Sequence, residues 1–157
     1  MLITQAMLAE VAAHASASPR RRRNRNFHAH ESAPCNRMLN ALQPDSYVQP
    51  HCHLDTSKDE SIIALGGRFG VVMFDAFGRV VSHHVIAPGG DAVGIDIAHS
   101  TIHTIIALEP DSVFFEAKAG PYVPVSAAEK APWAPPEGAP ECGAFLARMH
   151  ALFEAGH

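Results

Sequence analysis

The stretch Pro50-His51-Cys52-His53-Leu54-Asp55-Thr56-Ser57-Lys58-Asp59-Glu60 decides how this chain is read. In an extended segment successive side chains point to opposite faces, so His51 and His53 project together and Cys52 the other way. Residues 54–59, rich in Asp, Thr, Ser and Lys, have the composition of a hairpin connection. Glu60 then opens a returning antiparallel strand and lies close to the histidine pair. Much later His103 heads the apolar run Thr104-Ile105-Ile106-Ala107-Leu108 and shares a face with Ile105 and Ala107, where a barrel interior would lie. Three imidazoles and a carboxylate make a four-ligand cage for one divalent ion such as Fe(II), Mn(II), Ni(II), Cu(II) or Zn(II). Three neutral ligands and one anion leave one or two coordination positions open to water or substrate, as in catalytic rather than closed structural sites. Taken alone, His103 reads rather as a hydrogen-bonded core histidine, and Glu60 has the alternative of a strand-edge carboxylate facing water.

Outward from this stretch, short strands broken by turns run from Arg20 to Val125. The candidates are Arg25–His30, Arg37–Ala41 (equally a helical turn), Tyr47–His53, Ser61–Leu65, Phe69–Phe74, Val80–Ile86, Ala92–Ile97, His103–Ala107 and Val113–Ala117. Asp75-Ala76-Phe77-Gly78 and Pro88-Gly89-Gly90-Asp91 are strong turn signals. Ile62, Val71, Met73, Val85, Ile95, Ile105 and Phe114 supply a core from alternating positions. Many short strands at close intervals predict an all-β antiparallel sandwich or barrel. Ile3, Met7, Leu8 and Val11 recur at helical spacing, which predicts a short amphipathic helix ending before Ser16–Pro19. A Pro-rich arm (Pro124, Pro132, Pro135, Pro136, Pro140) follows the strands, and a last helix from Ala144 to about Phe153 carries the stripe Leu146, Met149, Phe153. The expected organisation is an N-terminal helix and linker over 1–19, a barrel over 20–125, and an arm with a C-terminal helix over 126–157.

The 157 residues suffice for one domain with a proper core. Charged residues are 18%, below the typical ~25%, whereas the 11 histidines are many for this length. A net charge of -4 exerts no global pull toward nucleic acid or a membrane surface. No apolar run approaches the ~18 residues of a membrane span. The Ala-rich first 18 residues lack a leading positive charge and contain Glu10, so they do not read as a signal peptide. Cys35, Cys52 and Cys142, odd in number and irregular in spacing, form neither a disulfide framework nor a CxxC site, and reduced thiols in a cytoplasmic protein are expected.

Other polar residues near the cage are candidates for substrate handling. If Asn26, His28 and His30 share a strand face that lines the barrel, His28 can act as an acid/base near the metal. Tyr47, four residues before His51 and facing the same way, can donate its hydroxyl to a substrate oxygen or cap the core. Arg20-Arg21-Arg22-Arg23 with Arg25 suggests phosphate or nucleic acid, but no aromatic platform or nucleic-acid module accompanies it. Arg23 and Arg25, together with Asn26, are instead the candidates to hold an anionic substrate.

His51-x-His53, Glu60, Gly67 and His103 resemble the two motifs of cupins, small β-barrels that hold a metal by three histidines and a glutamate. The longer string Arg23, Asn26-x-His28, Asn36-Arg37-Met38-Leu39-Asn40-Ala41-Leu42, Ser46-Tyr47-Val48-x-Pro50-His51-x-His53 and Gly120-Pro121-Tyr122 is similar to the WbuC-type cupin fold metalloproteins, as are Pro132-Trp133-Ala134-Pro135 and both terminal helices. The resemblance implies a cupin (double-stranded β-helix, jelly-roll) barrel, one bound divalent metal such as Fe, Zn, Mn or Ni, and a homodimer. It also carries a hint of sugar chemistry. The second motif departs from the cupin pattern, because Ile97-Ala98-His99-Ser100-Thr101-Ile102 lacks the usual Pro and Gly, and His99 there is an alternative ligand. The loop between His53 and Glu60 is longer than usual. The expected function is a small-molecule metalloenzyme acting on a sugar or hydroxy/keto acid, isomerase- or epimerase-like or an Fe-dependent oxygenase, with His28 or Tyr47 shuttling a proton. The alternatives are a non-catalytic metal-dependent binding or sensing barrel, and a barrel with a purely structural metal.

Overall fold

Alternating apolar residues assemble two antiparallel sheets whose inner faces pack on each other. The structure is a computed structural model that describes residues 1–154 of the chain. In chain order its elements are α1 (Gln5–Ala17), β1 (Arg22–Asn26), β2 (Cys35–Leu42), β3 (Glu60–Gly66), β4 (Phe69–Phe74), β5 (Val80–Ile86), β6 (Gly94–Ile97), β7 (Ile102–Ala107), β8 (Ser112–Ala119) and α2 (Cys142–Ala151). One sheet has the order β1-β2-β8-β3-β6 and the other β5-β4-β7. Between them lie Leu42, Ile62, Phe69, Val71, Ile86, Ile105 and Phe114, all buried. This is the interior face of both sheets, read at every second residue.

The helices cover the outer faces. On α1, Leu8, Val11, Ala12 and Ala15 pack on Leu39, Ala41 and Val113 of the larger sheet. The Thr4 side chain caps it by accepting the Met7 N–H, which satisfies a donor with no partner inside the helix. On α2, Phe145, Leu146 and Met149 pack with Val72, Phe74 and Ile106 on the smaller sheet.

Several boundaries differ from the sequence reading. The first strand spans Arg22–Asn26 rather than Arg25–His30, so His28 and His30 fall beyond its end. Cys35–Leu42 is a strand, not a helical turn, because it pairs along its length with β8. Residues 47–53 form no strand: Pro50 has no N–H to donate, and only His51 forms bridges, to His103 and to Lys130. Val85 is 37% exposed on the outer side of β5, and Ile86 fills the core in its place. Helix α1 also runs on through Ser16 to Ala17. Among the described residues no helix is long and apolar enough to cross a membrane, and Cys35, Cys52 and Cys142 are free thiols.

Candidate metal centre

The cage residues come from three places that the sheets bring together. His51 exchanges both backbone hydrogen bonds with His103 at the head of β7, at 3.0 and 2.9 Å. On its other side the segment is tied to the Pro-rich arm, where Ala131 N–H donates to Pro50 O and Cys52 N–H to Glu129 O, each at 2.9 Å. Glu60 is the first residue of β3, which pairs with β6 and β8 rather than with the histidine segment. The loop before it is closed locally by the Asp55 carboxylate, which accepts from Ser57 N and Oγ. The turn that lacks Pro and Gly is made by Ser100 in the left-handed region at φ 62°. The Ser100 N–H donates to His53 O at 2.7 Å, so the turn into β7 is fastened to the second histidine.

Ligand atoms of His51, His53 and Glu60 all lie within 4.8 Å of one another. His53 Nε2 is 2.9 Å from Glu60 Oε1, and His103 Nε2 is 3.1 Å from Glu60 Oε2. The His51 and His103 ring centroids are 4.9 Å apart. His53, Glu60 and His103 are buried. The imidazoles are oriented from behind, since His51 Nδ1 donates to Gln49 O at 3.0 Å and His103 Nδ1 to Thr101 O at 2.9 Å. With the proton on Nδ1, each Nε2 presents a lone pair to the centre, the tautomer that metal ligation requires. A lone pair of His103 then faces a carboxylate oxygen at 3.1 Å, a contact that a cation between them makes favourable. The donor set fits a divalent ion.

The electrostatics agree. Burial pushes the His51 imidazole down to about 4, and the neighbouring His103 adds to the shift, so it is neutral and available at pH 7. Burial alone would raise Glu60, but the facing His103 and His53 side chains and the Lys118 ammonium hold it well below the usual carboxylate range. Lys118 is itself held above its ordinary value, because Glu116 and Glu60 outweigh its desolvation.

Lys118 and its neighbours are the part of the site that sequence reasoning missed. Lys118 Nζ lies 2.7 Å from Glu60 Oε1 and 2.8 Å from Glu116 Oε1, and Asn40 Nδ2 donates to Glu116 Oε2 at 2.8 Å. Burial pushes the Glu116 carboxyl up. The signal was the alternation Phe114-x-Glu116-x-Lys118, which puts both charged residues on the face of a core phenylalanine. Together with His51, Glu60, His103 and Arg22 they surround a cavity of about 150 Å³ whose apolar wall is Leu42, Ile62, Ile105 and Phe114.

The remaining predicted site residues lie elsewhere. His28 is buried, and its Nδ1 accepts the Arg37 N–H at 3.1 Å, outside the cavity. Tyr47 points to the outer face, where its hydroxyl donates to Pro135 O at 2.7 Å and its ring meets Phe145 edge-on. Arg23 is exposed, and Arg25 reaches Glu10 on α1 at 3.0 Å. Both stand opposite Ala41 and Leu39, which face the helix. Asn26 is exposed and accepts from Asn24. His99 sits on Asp59 at 2.8 Å, outside the cage. The arginine at the cavity is Arg22, across from Leu42 on the inner face.

Comparison with solved structures shows the fold. The chain is similar to KdgF from Halomonas sp. (20% identity, TM-score 0.52, covering 68% of this chain and 84% of that one). It is also similar to a mutant of oxalate decarboxylase OxdC from Bacillus subtilis (20% identity, TM-score 0.50, covering 64% of this chain and 26% of that one). A third similar structure is a conserved protein of unknown function from Streptococcus pyogenes (11% identity, TM-score 0.50, covering 69% and 86%). This chain therefore spans about a quarter of the decarboxylase's length. The two sheets and these likenesses identify a cupin-type jelly-roll with a His-His-Glu group able to hold a metal ion. Residues 3–86 match the family model described as a domain of unknown function, DUF6016, and the chain belongs to that family. No curated protein matches it.

Proposed function

We propose that this protein is a small-molecule metalloenzyme that acts on a hydroxy or keto acid or a small sugar, through one divalent metal held by His51, His53, Glu60 and His103. The observation that carries the reading is the cavity itself. On its polar side His51, Glu60 and His103 stand together with the half-buried ammonium of Lys118, and its other side is apolar. Buried charges are costly to keep, and a charged cluster that faces a cavity is the usual mark of a working site.

A bound divalent ion supplies Lewis acidity toward a carbonyl or hydroxyl oxygen. Lys118 Nζ, kept charged beside Glu60 and Glu116, donates a hydrogen bond to a substrate oxygen in the cavity. Glu116, fixed by Asn40, holds Lys118 in position. Leu42, Ile62, Ile105 and Phe114 exclude water beside the reacting group. A volume of about 150 Å³ is that of a benzene-sized guest, which favours a short acid over a whole hexose inside the cavity. Isomerisation or epimerisation uses these groups directly, and an iron-dependent oxygenase uses the same ligand set. The WbuC-like string around Asn36–Leu42 and Ser46–His53 supports the same reading.

The test is elemental analysis of untagged protein purified without chelators, beside a His51→Ala/His103→Ala variant. About one equivalent of a transition metal, lost in a variant that stays folded by circular dichroism, is the expected result. No metal, or equal metal in both proteins, overturns it.

A further inference from the structure

Arg22 stands between two cavities. It lines the inner one of about 150 Å³ with Glu60, His103 and Lys118. It also lines an outer groove of about 720 Å³, walled by the Pro-rich arm and reaching Gln49 and Lys130. His51 and Val48 border both, so the groove lies against the metal centre. Arg22 is not free at this junction. Its Nη1 donates to Tyr47 O at 2.7 Å and its Nη2 to Glu137 Oε2 at 2.8 Å. Arg20 grips the same carboxylate through Nε to Oε1 at 2.6 Å and Nη2 to Oε2 at 2.8 Å. Glu137 comes from the arm, about 115 residues away in sequence, and its carboxylate rests against two guanidiniums at the mouth of the site.

A guanidinium fork from Arg20 and a single N–H from Arg22 converging on one carboxylate form a carboxylate receptor. The Arg20 and Glu137 side chains are 61% and 39% exposed, whereas Arg22 is 18% exposed. An ion pair this open to water is held weakly, so another carboxylate can take its place at little cost. We propose that Glu137 is a built-in stand-in for the acidic end of the substrate, and that Arg22, with Arg20, is the specificity-determining anion site. The ligand is a dicarboxylate or similar acid, with one end in the inner cavity and a distal carboxylate exchanged for Glu137. This inference rests on the metal-centred small-molecule reading above for the inner end only.

The test is calorimetric titration of manganese-treated protein with linear dicarboxylates from malonate to adipate, each beside its monoamide. Metal content is measured on the same samples. One diacid of matching length is expected to bind at least about tenfold more tightly than its monoamide, as befits a charge-assisted bond. Arg22→Met and Arg22→Lys should abolish the difference, and Glu137→Gln should tighten the diacid. A Glu137 that merely anchors the arm predicts instead a lower melting temperature in Glu137→Gln with diacid binding unchanged or weaker, which overturns the proposal. Equal binding of diacid and monoamide to wild type that holds one equivalent of metal also overturns it and leaves the metal centre standing. A protein that takes up no metal yet discriminates through Arg22 keeps the anion site and sinks only the metal reading.

Discussion

Lys118 stands directly across from Glu60 in the β8–β3 ladder, and its Nζ lies 2.7 Å from Glu60 Oε1. One carboxylate is thus shared by an ammonium from the next strand and by two imidazoles. The cage is therefore joined to the barrel wall through a charge, and the wall's stability depends on what occupies the cage.

Lys118→Met leaves Glu60 and Glu116 facing the cavity without their cation. The metal-free variant should lose about 3 kcal/mol in urea unfolding, as when one partner of a buried pair is removed. One equivalent of Zn(II) should restore much of that loss, because a cation again neutralises Glu60. A loss that zinc does not reduce would count against the shared-carboxylate arrangement.

The metal-free protein should weaken in mild acid. His51 is brought down to about 4 when folded, from an ordinary 6.5. Between these values the unfolded chain binds a proton that the folded one refuses, so stability rises with pH there. The contribution is complete above about pH 6.5 and is lost as pH falls toward 4, at about 1.4 kcal/mol per pH unit. Urea midpoints in EDTA across this window, compared with His51→Gln, check it: the variant should show a shallower slope.

Tyr47→Phe removes a hydroxyl that donates to Pro135 O on the outer face. It should cost about 1 kcal/mol of stability and leave metal content and any turnover unchanged. A large fall in turnover with normal metal content would return Tyr47 to the site.

Gly67 sits at φ +69°, and a Cβ there would strike the Ser112 side chain and lie 2.9 Å from its Cα. Gly67→Ala should destabilise by about 2 kcal/mol through strain and clash together. Thermal unfolding measures it, and an unchanged melting temperature would show that the β3–β4 turn relaxes freely.

The strands from β3 onward were legible because each is a short run rich in β-branched residues or phenylalanine bounded by turn residues, and their ends moved by at most a residue or two. The histidine segment was misread as a strand because its pattern is extended, while its backbone pairing is confined to isolated bridges to His103 and to the arm. That partnership is non-local and leaves no periodicity. The ligand types were readable from His51-x-His53 and Glu60 alone. Arg22 was passed over for Arg23 and Arg25 because alternation divides a run of arginines into two faces without saying which face is inside.

The sequence by itself determined most of the element types, the positions of the turns and the imidazole and carboxylate donors, since these follow from local propensity and side-chain chemistry. Tertiary structure alone decided which parity of the arginine-rich β1 faces inward and which charged groups meet across the sheet. Pairing β1 with β2 turns Arg22 toward the cavity and Arg25 toward α1. Pairing β8 with β3 sets Lys118 on Glu60, although hydropathy alone sends a lysine to solvent. The reason is that strand register is fixed by the sum of contacts across both sheets, and no single segment of the chain contains that sum.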